Sequence, residues 1–295
     1  MPSLVSSVLR EQIRLMKPIL TKTSIQTSRN LQEALGELGA KTVAAKVQRQ
    51  DFQLEDFPAC WLTPAETTLE DPRVLLYLHG GGYVAGSIRY AAGFAGVIAA
   101  KTGVRTLCIA YRLAPEHPFP AALDDAMTAY QYLLGQGYHG SDITLIGESA
   151  GGGLILSLCL LLKAQGIPLP ARLVAISPWT DLTLSGESME ENREVDISLT
   201  KSELAAYAAC YAPEQAGLSL VSPLWGDLTG LPPCAIYVGG DEILLDDSRR
   251  LCTRLLDAGV PATISIEPGM WHAYLLYGVP EANAAWREIK TLLEE

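Results

Sequence analysis

The sequence has few of the residues on which metal sites and nucleic-acid binding depend. Its 295 residues include only 4 histidines and 6 cysteines, and the cysteines form no C-x-x-C pair and have no histidine at metal-ligand spacing. Acidic residues outnumber basic ones by 33 to 22, giving a formal charge of −11. Phosphate backbones are bound mainly through Lys and Arg. We therefore expect no metal, no nucleic-acid partner and no anionic membrane surface.

Long apolar segments are also lacking. The most apolar stretch, Leu154 to Leu162, has about half the length that a bilayer span requires. The N-terminal residues alternate apolar with charged positions, which predicts an amphipathic helix and not a signal peptide. Scattered cysteines within apolar runs are typical of buried free thiols. These features predict a protein of a reducing compartment, most simply the cytoplasm.

Short apolar runs alternate with helical patterns along most of the chain. Runs of this kind suit strands that are buried on both faces of a parallel sheet. They are Val74 to Leu78, Val104 to Tyr111, Ile143 to Ile146, Leu173 to Ile176, Cys234 to Val238 and Ala262 to Ile266. The alternation predicts a single α/β domain over residues 1–295, with a mostly parallel central sheet and helices on both faces.

One interval breaks this rhythm. Residues 182–217 carry a helical pattern with mixed charge and no strand. Together with the helical residues 1 to about 45, they are predicted to form a cap over the carboxyl ends of the strands, where open α/β sheets bind ligands.

A candidate nucleophile lies between a predicted strand and a predicted helix. The segment 147–151 reads Gly-Glu-Ser-Ala-Gly, and a turn this tight needs glycines two residues before and after the serine. The turn projects the Ser149 hydroxyl clear of the sheet. The alternative is a glycine-rich turn in which Ser149 takes no part in chemistry.

A second glycine-rich turn, His79-Gly80-Gly81-Gly82, directly follows a buried strand. Backbone N–H groups at this position can stabilise an oxyanion, provided that no side chain stands in the way. The donors expected are those of Gly81, Gly82 and Ala150, while His79 is expected to brace the loop.

The general base follows by elimination among the histidines. His79 belongs to the glycine loop, His117 to a proline-rich connection, and His139 to a polar turn. In the order serine, acid, histidine, the base must come after the last strands. Only His272 does so.

The acid is sought in the segment CAIYVGGDEILLDD, which ends a predicted strand. Asp241 comes first after two glycines, and a carboxylate there can fix the tautomer of the imidazole. Asp246 or Asp247 is expected to cap the following helix, whose N-terminus favours negative charge. Glu148, beside the nucleophile, is a fallback acid with little support.

Five segments together resemble the hormone-sensitive-lipase-like (bacterial family IV) carboxylesterases. They are HGGG at 79–82, YRLAPE at 111–116, GESAGG at 147–152, GGDEILLDD at 239–247 and WHAY at 271–274. The resemblance implies an α/β-hydrolase fold with a helical cap, hydrolysis of short to medium acyl esters, no cofactor, and the same triad and oxyanion hole.

The sequence also departs from that family. Glu148 stands where Asp or Thr is common, and Glu242 stands where Pro usually follows the catalytic acid. Ala273 replaces a frequent Gly after the base, which a loop tolerates if its φ stays negative.

The expected reaction is acyl transfer through an acyl-enzyme on Ser149, with His272 as base and Asp241 as orienting acid. Rival interpretations are the same triad acting on amides or on alcohol acceptors, and a receptor without catalysis. Acyl chains of four to eight carbons are expected to fit best. By resemblance only, the last strand and helix are expected to form the edge of a homodimer. The predicted substrate-binding residues are Tyr83, Trp179, Leu184, Met189, Tyr207 and Tyr211.

Overall fold

The computed structural model describes residues 2–20, 25–67 and 71–294. Within them, eight strands form one sheet. The strands are β1 (Val47–Leu54), β2 (Phe57–Pro64), β3 (Val74–Leu78), β4 (Arg105–Ile109), β5 (Ile143–Glu148), β6 (Arg172–Ile176), β7 (Cys234–Gly239) and β8 (Ala262–Glu267). Their order is β1-β2-β4-β3-β5-β6-β7-β8. Strands β1 and β2 pair antiparallel, β2 pairs antiparallel with β4, and every later pairing is parallel.

Helices alternate with the parallel strands, so the predicted α/β architecture is confirmed. The helices are α1 (Leu4–Leu20), α2 (Ile25–Val43), α3 (Ile88–Thr102), α4 (Ala121–Gly135), α5 (Ala150–Gln165), α6 (Ser188–Glu191), α7 (Lys201–Tyr211), α8 (Leu245–Asp257) and α9 (Ala282–Leu292). In the described part of the chain, no helix is both long and apolar enough to cross a bilayer.

The sheet separates two hydrophobic cores, one on each face. Along β3, Leu76 packs in the core that contains α4, α5 and α8, whereas Leu75 and Tyr77 pack in the core that contains α3 and α9. Successive side chains of a strand point to opposite faces, so a strand covered on both sides is apolar throughout. This explains why β3 reads as an unbroken apolar run.

The segments predicted as a cap contain four of the helices. Helices α1 and α2 lie in the N-terminal part and α6 and α7 in residues 182–217, while residues 1 and 21–24 of the predicted cap lie outside the described residues. Arg29 of α2 donates a pair of hydrogen bonds, 2.7 and 2.8 Å long, to the carboxylate of Glu116. Its guanidinium also donates to the carbonyls of Val84 and Ala114. Helix α2 is thus fixed to the loop segments that surround the glycine loop.

Helices α2 and α3 approach each other closely enough that their backbones touch. A Cβ at Gly93 would overlap the carbonyl of Gly36, and a Cβ at Gly36 would overlap the backbone of Tyr90. Two glycines at the crossing therefore let α2 lie directly on the body of the protein.

We expect Gly93→Ala to destabilise the protein by about 1–3 kcal/mol, because the added methyl has only backbone to press against. Gly96→Ala is the matched control in the same helix, since the nearest atom there is a methyl carbon of Val43 at 3.1 Å, which can give way. The control should be neutral or gain from helix propensity. Urea unfolding midpoints measure both, and equal midpoints for the two variants would contradict the backbone contact.

Candidate active site

Ser149 occupies a strained turn between β5 and α5. Its φ of 55° and ψ of −122° lie outside the regions that L-residues favour. The turn is held on both sides, since the Ser149 amide donates to the carbonyl of Ile176 and the Ser149 carbonyl accepts from the amide of Trp179, both at 2.9 Å. The predicted strand–turn–helix setting of Ser149 is confirmed.

The flanking glycines of this turn are required by space. A Cβ at Gly147 would overlap the carbonyl of Gly151, and a Cβ at Gly151 would overlap the carbonyl of Leu78 in β3. The first turn of α5 therefore packs against the sheet with no side chain between them.

The glycine loop after β3 faces the same cavity as Ser149. Gly81 and Gly82 both line that cavity, with φ values of 107° and 63° that favour glycine. The Ala150 amide belongs to the first turn of α5, whose N–H groups have no acceptor within the helix. The three predicted N–H donors thus come from two backbone turns beside the serine.

His79 braces the glycine loop. Its Nδ1 lies 2.7 Å from the carbonyl oxygen of Gly80, and its ring stacks on Tyr111 with centroids 4.0 Å apart. The Tyr111 hydroxyl donates to the carbonyl of His79 at 2.7 Å. Burial lowers the pKa of His79 to about 4, so the ring stays neutral near neutral pH.

Glu148 also holds this loop and is not the acid partner of the base. Its Oε1 accepts hydrogen bonds from the Gly80 amide at 2.6 Å and from the Tyr90 hydroxyl at 3.0 Å. Burial raises the pKa of Glu148 to about 7 in spite of these bonds. Its carboxyl ties β5 to the glycine loop.

His272 is held by Glu242. The Nδ1 of His272 lies 2.6 Å from Oε2 of Glu242, and both side chains are buried. The other carboxylate oxygen accepts from the Ser177 hydroxyl at 2.7 Å and from the Gly239 amide at 2.8 Å. Burial lowers the pKa of His272, but the charge and hydrogen bond of Glu242 outweigh it, so that the pKa is raised.

The prediction that Asp241 orients the imidazole is therefore wrong. Asp241 forms an ion pair with Arg10 of α1, at 2.8 Å from its Oδ2. The backbone of Asp241 remains hydrogen-bonded to the loop after β8, since the Asp241 amide donates to the carbonyl of Met270. The next residue, Glu242, has no exposed surface. Counting from the strand end placed the acid one residue too early.

Two further features of the site had no clear signal in the sequence. Ser177 follows β6, and its hydroxyl accepts from the Ala273 amide at 3.0 Å while donating to Glu242. Ala273 has a φ of 54°, so the negative φ that would let the loop tolerate an alanine here is not adopted. A non-glycine residue there costs about 1–2 kcal/mol, and the frequent glycine at this position in the resembling family could have indicated it.

The cap predicted for Asp246 or Asp247 is wrong as a hydrogen bond, although both carboxylates lie in the first turn of α8 as expected. Asp247 accepts from the amides of Thr180 and Asp181 at 2.7 and 2.9 Å, and Asp246 accepts from the amide of Ser188 at 2.9 Å. Asp247 thereby binds the chain just before the 182–217 segment to α8, and Asp246 binds Ser188 within that segment.

A cavity of about 250 Å³ opens beside Ser149 and His272. Of the six predicted substrate-binding residues, only Tyr207 lines it. The full lining consists of Ile13, Ser28, Gln32, Gly81, Gly82, Tyr90, Phe94, Glu148, Ser149, Ser198, Leu199, Glu203, Leu204, Tyr207, His272, Ala273, Leu276 and Tyr277.

The other five predicted residues lie in the hydrophobic core, so that prediction is wrong for them. Tyr83 stacks on Tyr211 with ring centroids 3.8 Å apart, and Trp179 packs beside Tyr83 at 6.2 Å. Leu184 and Met189 are buried in the same core. These large side chains join the 182–217 segment to the body, which satisfies their apolar surface without a ligand.

Known proteins of similar sequence and structure share this arrangement of elements. Residues 75–276 match the family described as the alpha/beta hydrolase fold. The chain is 42% identical over 228 residues to an acetyl-hydrolase of Streptomyces hygroscopicus. The aligned residues cover 76% of this chain and 75% of that protein.

Solved structures agree with the sequence comparison. An esterase from the bacterial hormone-sensitive lipase family superposes with a TM-score of 0.89 at 38% identity, covering 96% of both chains. EstE5, in crystals soaked by p-nitrophenyl butyrate, superposes with a TM-score of 0.91 at 33% identity, covering 99% of this chain and 98% of that one.

The raised pKa of Glu148 predicts a pH-dependent stability. An unfolded glutamic acid titrates near 4.5 and the folded one near 7, so the folded state holds an extra proton between these values. Stability therefore falls as pH rises through this window and is constant above it. Glu148→Gln keeps an acceptor for Gly80 and Tyr90 and does not ionise, so it should lack this fall.

Urea unfolding midpoints at pH 5 to 8 measure the effect. The unfolding midpoint of Glu148→Gln should rise relative to that of wild type from pH 5 to about 7, and this gain should then level off. Glu187→Gln, at an exposed position, is the control and should parallel wild type. A constant difference for Glu148→Gln across the range would contradict the prediction.

Proposed function

The chain belongs to the α/β-hydrolase family, among the bacterial hormone-sensitive-lipase-like esterases, and on this premise we propose that it hydrolyses short to medium acyl esters through an acyl-enzyme on Ser149. The protein is an ester hydrolase, as its relatives are. The finer assignment concerns the reacting residues and the size of the acyl group.

One observation carries the assignment of the reacting residues. Ser149, at a strained φ of 55°, lines the same cavity as His272. The Nδ1 of His272 lies 2.6 Å from Oε2 of Glu242. A serine, a histidine and a buried carboxylate in this relation are the parts of a nucleophilic triad.

In the first half-reaction, the Ser149 hydroxyl oxygen attacks the ester carbonyl carbon and its proton passes to Nε2 of His272. Nδ1–H of His272 donates to Glu242, which fixes the reactive tautomer and stabilises the imidazolium. The tetrahedral intermediate then expels the alcohol, which takes its proton from His272. The product is an ester between the acyl group and Ser149.

The developing oxyanion is stabilised by the amides of Gly81, Gly82 and Ala150. Loss of one such donor typically costs about 2.7–4 kcal/mol of barrier. Glu148 and His79 hold Gly80 from two sides and so keep this loop in place before substrate arrives.

The second half-reaction repeats these steps with water. His272 takes a proton from the water, which attacks the acyl carbonyl, and then returns a proton to the Ser149 oxygen. The carboxylic acid leaves and the enzyme is restored without a metal or cofactor.

A helical cap and a small cavity support a short acyl group. We assign residues 1 to about 45 and 182–217 to the cap, because side chains of α1, α2 and α7 line the cavity. Its volume of about 250 Å³ lies below the usual range for drug-sized ligands, roughly 300–1,000 Å³. An acyl chain of four to eight carbons, as in the butyrate soaked into EstE5 crystals, suits that space.

The free thiols support the cytoplasm as its compartment. All six cysteines are free thiols, and five of them are buried. Free thiols persist where the surroundings are reducing. The homodimer stays a prediction from resemblance.

Exchanging one carboxylate at a time tests the acid. We expect Glu242→Gln to lower kcat by about 10³–10⁴, because the imidazole loses its tautomer control and its counter-charge. Asp241→Asn, the matched control on the adjacent residue, should retain kcat within about tenfold, since it loses only the ion pair with Arg10.

The pH profile adds an independent measure of the same contact. Activity needs neutral His272, and Glu242 raises the pKa of that residue, so kcat/KM should fall with decreasing pH from a point above 6.5. In Glu242→Gln that fall should move to lower pH. A larger loss in Asp241→Asn than in Glu242→Gln would restore Asp241 as the acid.

Acyl length is tested with p-nitrophenyl esters from acetate to palmitate. We expect kcat/KM to peak between four and eight carbons, since each buried methylene contributes up to about 0.8 kcal/mol until the cavity ends. Ser149→Ala supplies the background and should hydrolyse none of them, with an unchanged circular dichroism spectrum. A maximum at palmitate would overturn the short-acyl assignment, and turnover by Ser149→Ala would overturn the nucleophile.

A further inference from the structure

The cavity beside Ser149 has two chemically different sides. Its apolar side comes mainly from α1, α3 and the loop after His272, and consists of Ile13, Tyr90, Phe94, Ala273, Leu276 and Tyr277. Its polar side comes from α2, from the chain before α7 and from α7 itself, and includes Ser28, Gln32, Ser198 and Glu203, although Leu199 and Leu204 of the same segments also line the cavity. A plain alkyl ester offers no hydrogen-bond donor to these polar side chains.

Two atoms of the polar side are buried acceptors without a partner. Neither Oε1 of Gln32 nor Oγ of Ser198 finds a hydrogen-bond partner among the described residues, although both atoms are shielded from solvent. An unsatisfied buried polar group typically costs about 1–3 kcal/mol. Ser28 differs from them, since it is hydrogen-bonded to Tyr207. Both residues line the cavity, and an unpartnered buried polar atom beside a binding cavity indicates a ligand that completes its hydrogen bonds.

A carboxylate lies on the same side. Glu203 stands in the first turn of α7, where its Oε2 accepts from the Thr200 hydroxyl at 2.6 Å. An ionised carboxylate is an acceptor only and can take more than one hydrogen bond. With Gln32 and Ser198, it makes this side of the cavity rich in acceptors.

Gln32 lies next to the loop that we assign to the oxyanion. A Cβ built on Gly81 would stand 2.8 Å from Oε1 of Gln32. A substrate whose carbonyl oxygen is bound at Gly81 therefore brings atoms close to the ester group within reach of Gln32.

From this arrangement we propose that the substrate is a hydroxylated ester: hydroxyl groups close to the ester linkage donate hydrogen bonds to Gln32 Oε1 and Ser198 Oγ, with Glu203 as a further acceptor. The apolar part of the same ester lies against Phe94 and Tyr277. This inference rests on the proposed function and adds the chemical class of its substrate. The hydroxyls belong to either the alcohol or the acyl half, and substrate pairs separate these two sources.

Two matched pairs of butyrate esters test the proposal. Glycerol monobutyrate is compared with propyl butyrate for hydroxyls on the alcohol, and ethyl 3-hydroxybutyrate with ethyl butyrate for a hydroxyl on the acyl chain. We expect kcat/KM for the hydroxylated member to exceed that of its plain partner by about tenfold or more in one pair, because the plain ester leaves buried acceptors unpaired.

Variants connect this preference to the named side chains. Gln32→Leu and Ser198→Ala remove the acceptors and should each bring the preference ratio towards one. Gln26→Leu is the matched control, because Gln26 lies exposed on the same helix and pairs with Asn30 at 3.1 Å. Its ratio should equal that of wild type.

Three results would overturn the proposal. They are an absence of preference in both pairs, an equal loss on both members of a pair in Gln32→Leu, and a preference for butyrylcholine over glycerol monobutyrate, which would make the polar side a cation site. Failure of the proposed function is recognised separately, since Ser149→Ala would then hydrolyse these esters at the wild-type rate.

Discussion

The site depends on a backbone contact that no side chain interrupts. Gly147 and Gly151 touch across the turn at Ser149, and Gly151 rests against the carbonyl of Leu78 in β3. Gly152 and Gly153 continue the contact against the chain after β6, at Pro178 and Trp179. Helix α5 thereby starts directly on the sheet, which fixes the positive φ of the serine and exposes its hydroxyl to the cavity. A methyl group at Gly147 or Gly151 would force this helix away from its neighbours.

Buried carboxylates connect the loops that surround this turn. Glu148 accepts from the glycine loop, Glu242 from the end of β7 and from His272, and Asp247 from Thr180, just before the 182–217 segment. Asp196 likewise accepts from the amides of Ser198, Leu199 and Ile243. Burying such a group is costly unless hydrogen bonds satisfy it. Part of the acidic excess of this protein therefore serves as acceptors that fasten loop amides near the site.

The N-terminal helices contribute side chains to the cavity beside Ser149. Arg10 of α1 forms an ion pair with Asp241. It also donates to the carbonyl of Gly269, in the loop between β8 and His272, and to the carbonyl of Val195, in the 182–217 segment. Helix α2 is fixed by the glycine crossing with α3 and by Arg29. With α1 and α2 held in this way, Ile13 and Gln32 become fixed walls of the cavity on opposite chemical sides.

The sequence by itself determined the features that neighbouring residues encode. The strand–turn–helix at Ser149, the alternation of strands with helices and the place of His272 all follow from local spacing and chain order. Tertiary contacts decided which of the two adjacent carboxylates, Asp241 or Glu242, contacts His272. Arg10 draws Asp241 outward while Ser177, His272 and the Gly239 amide hold Glu242 inside.

The same reason explains the errors at Ala273 and in the cavity lining. A bond from the Ala273 amide to Ser177, 96 positions away in the chain, accompanies its positive φ. Large aromatic residues such as Trp179 satisfy their apolar surface against whichever partner the fold brings near, and here that partner is the core. Spacing along a chain can specify a turn, but which of two adjacent side chains faces inward depends on packing against segments that spacing does not describe.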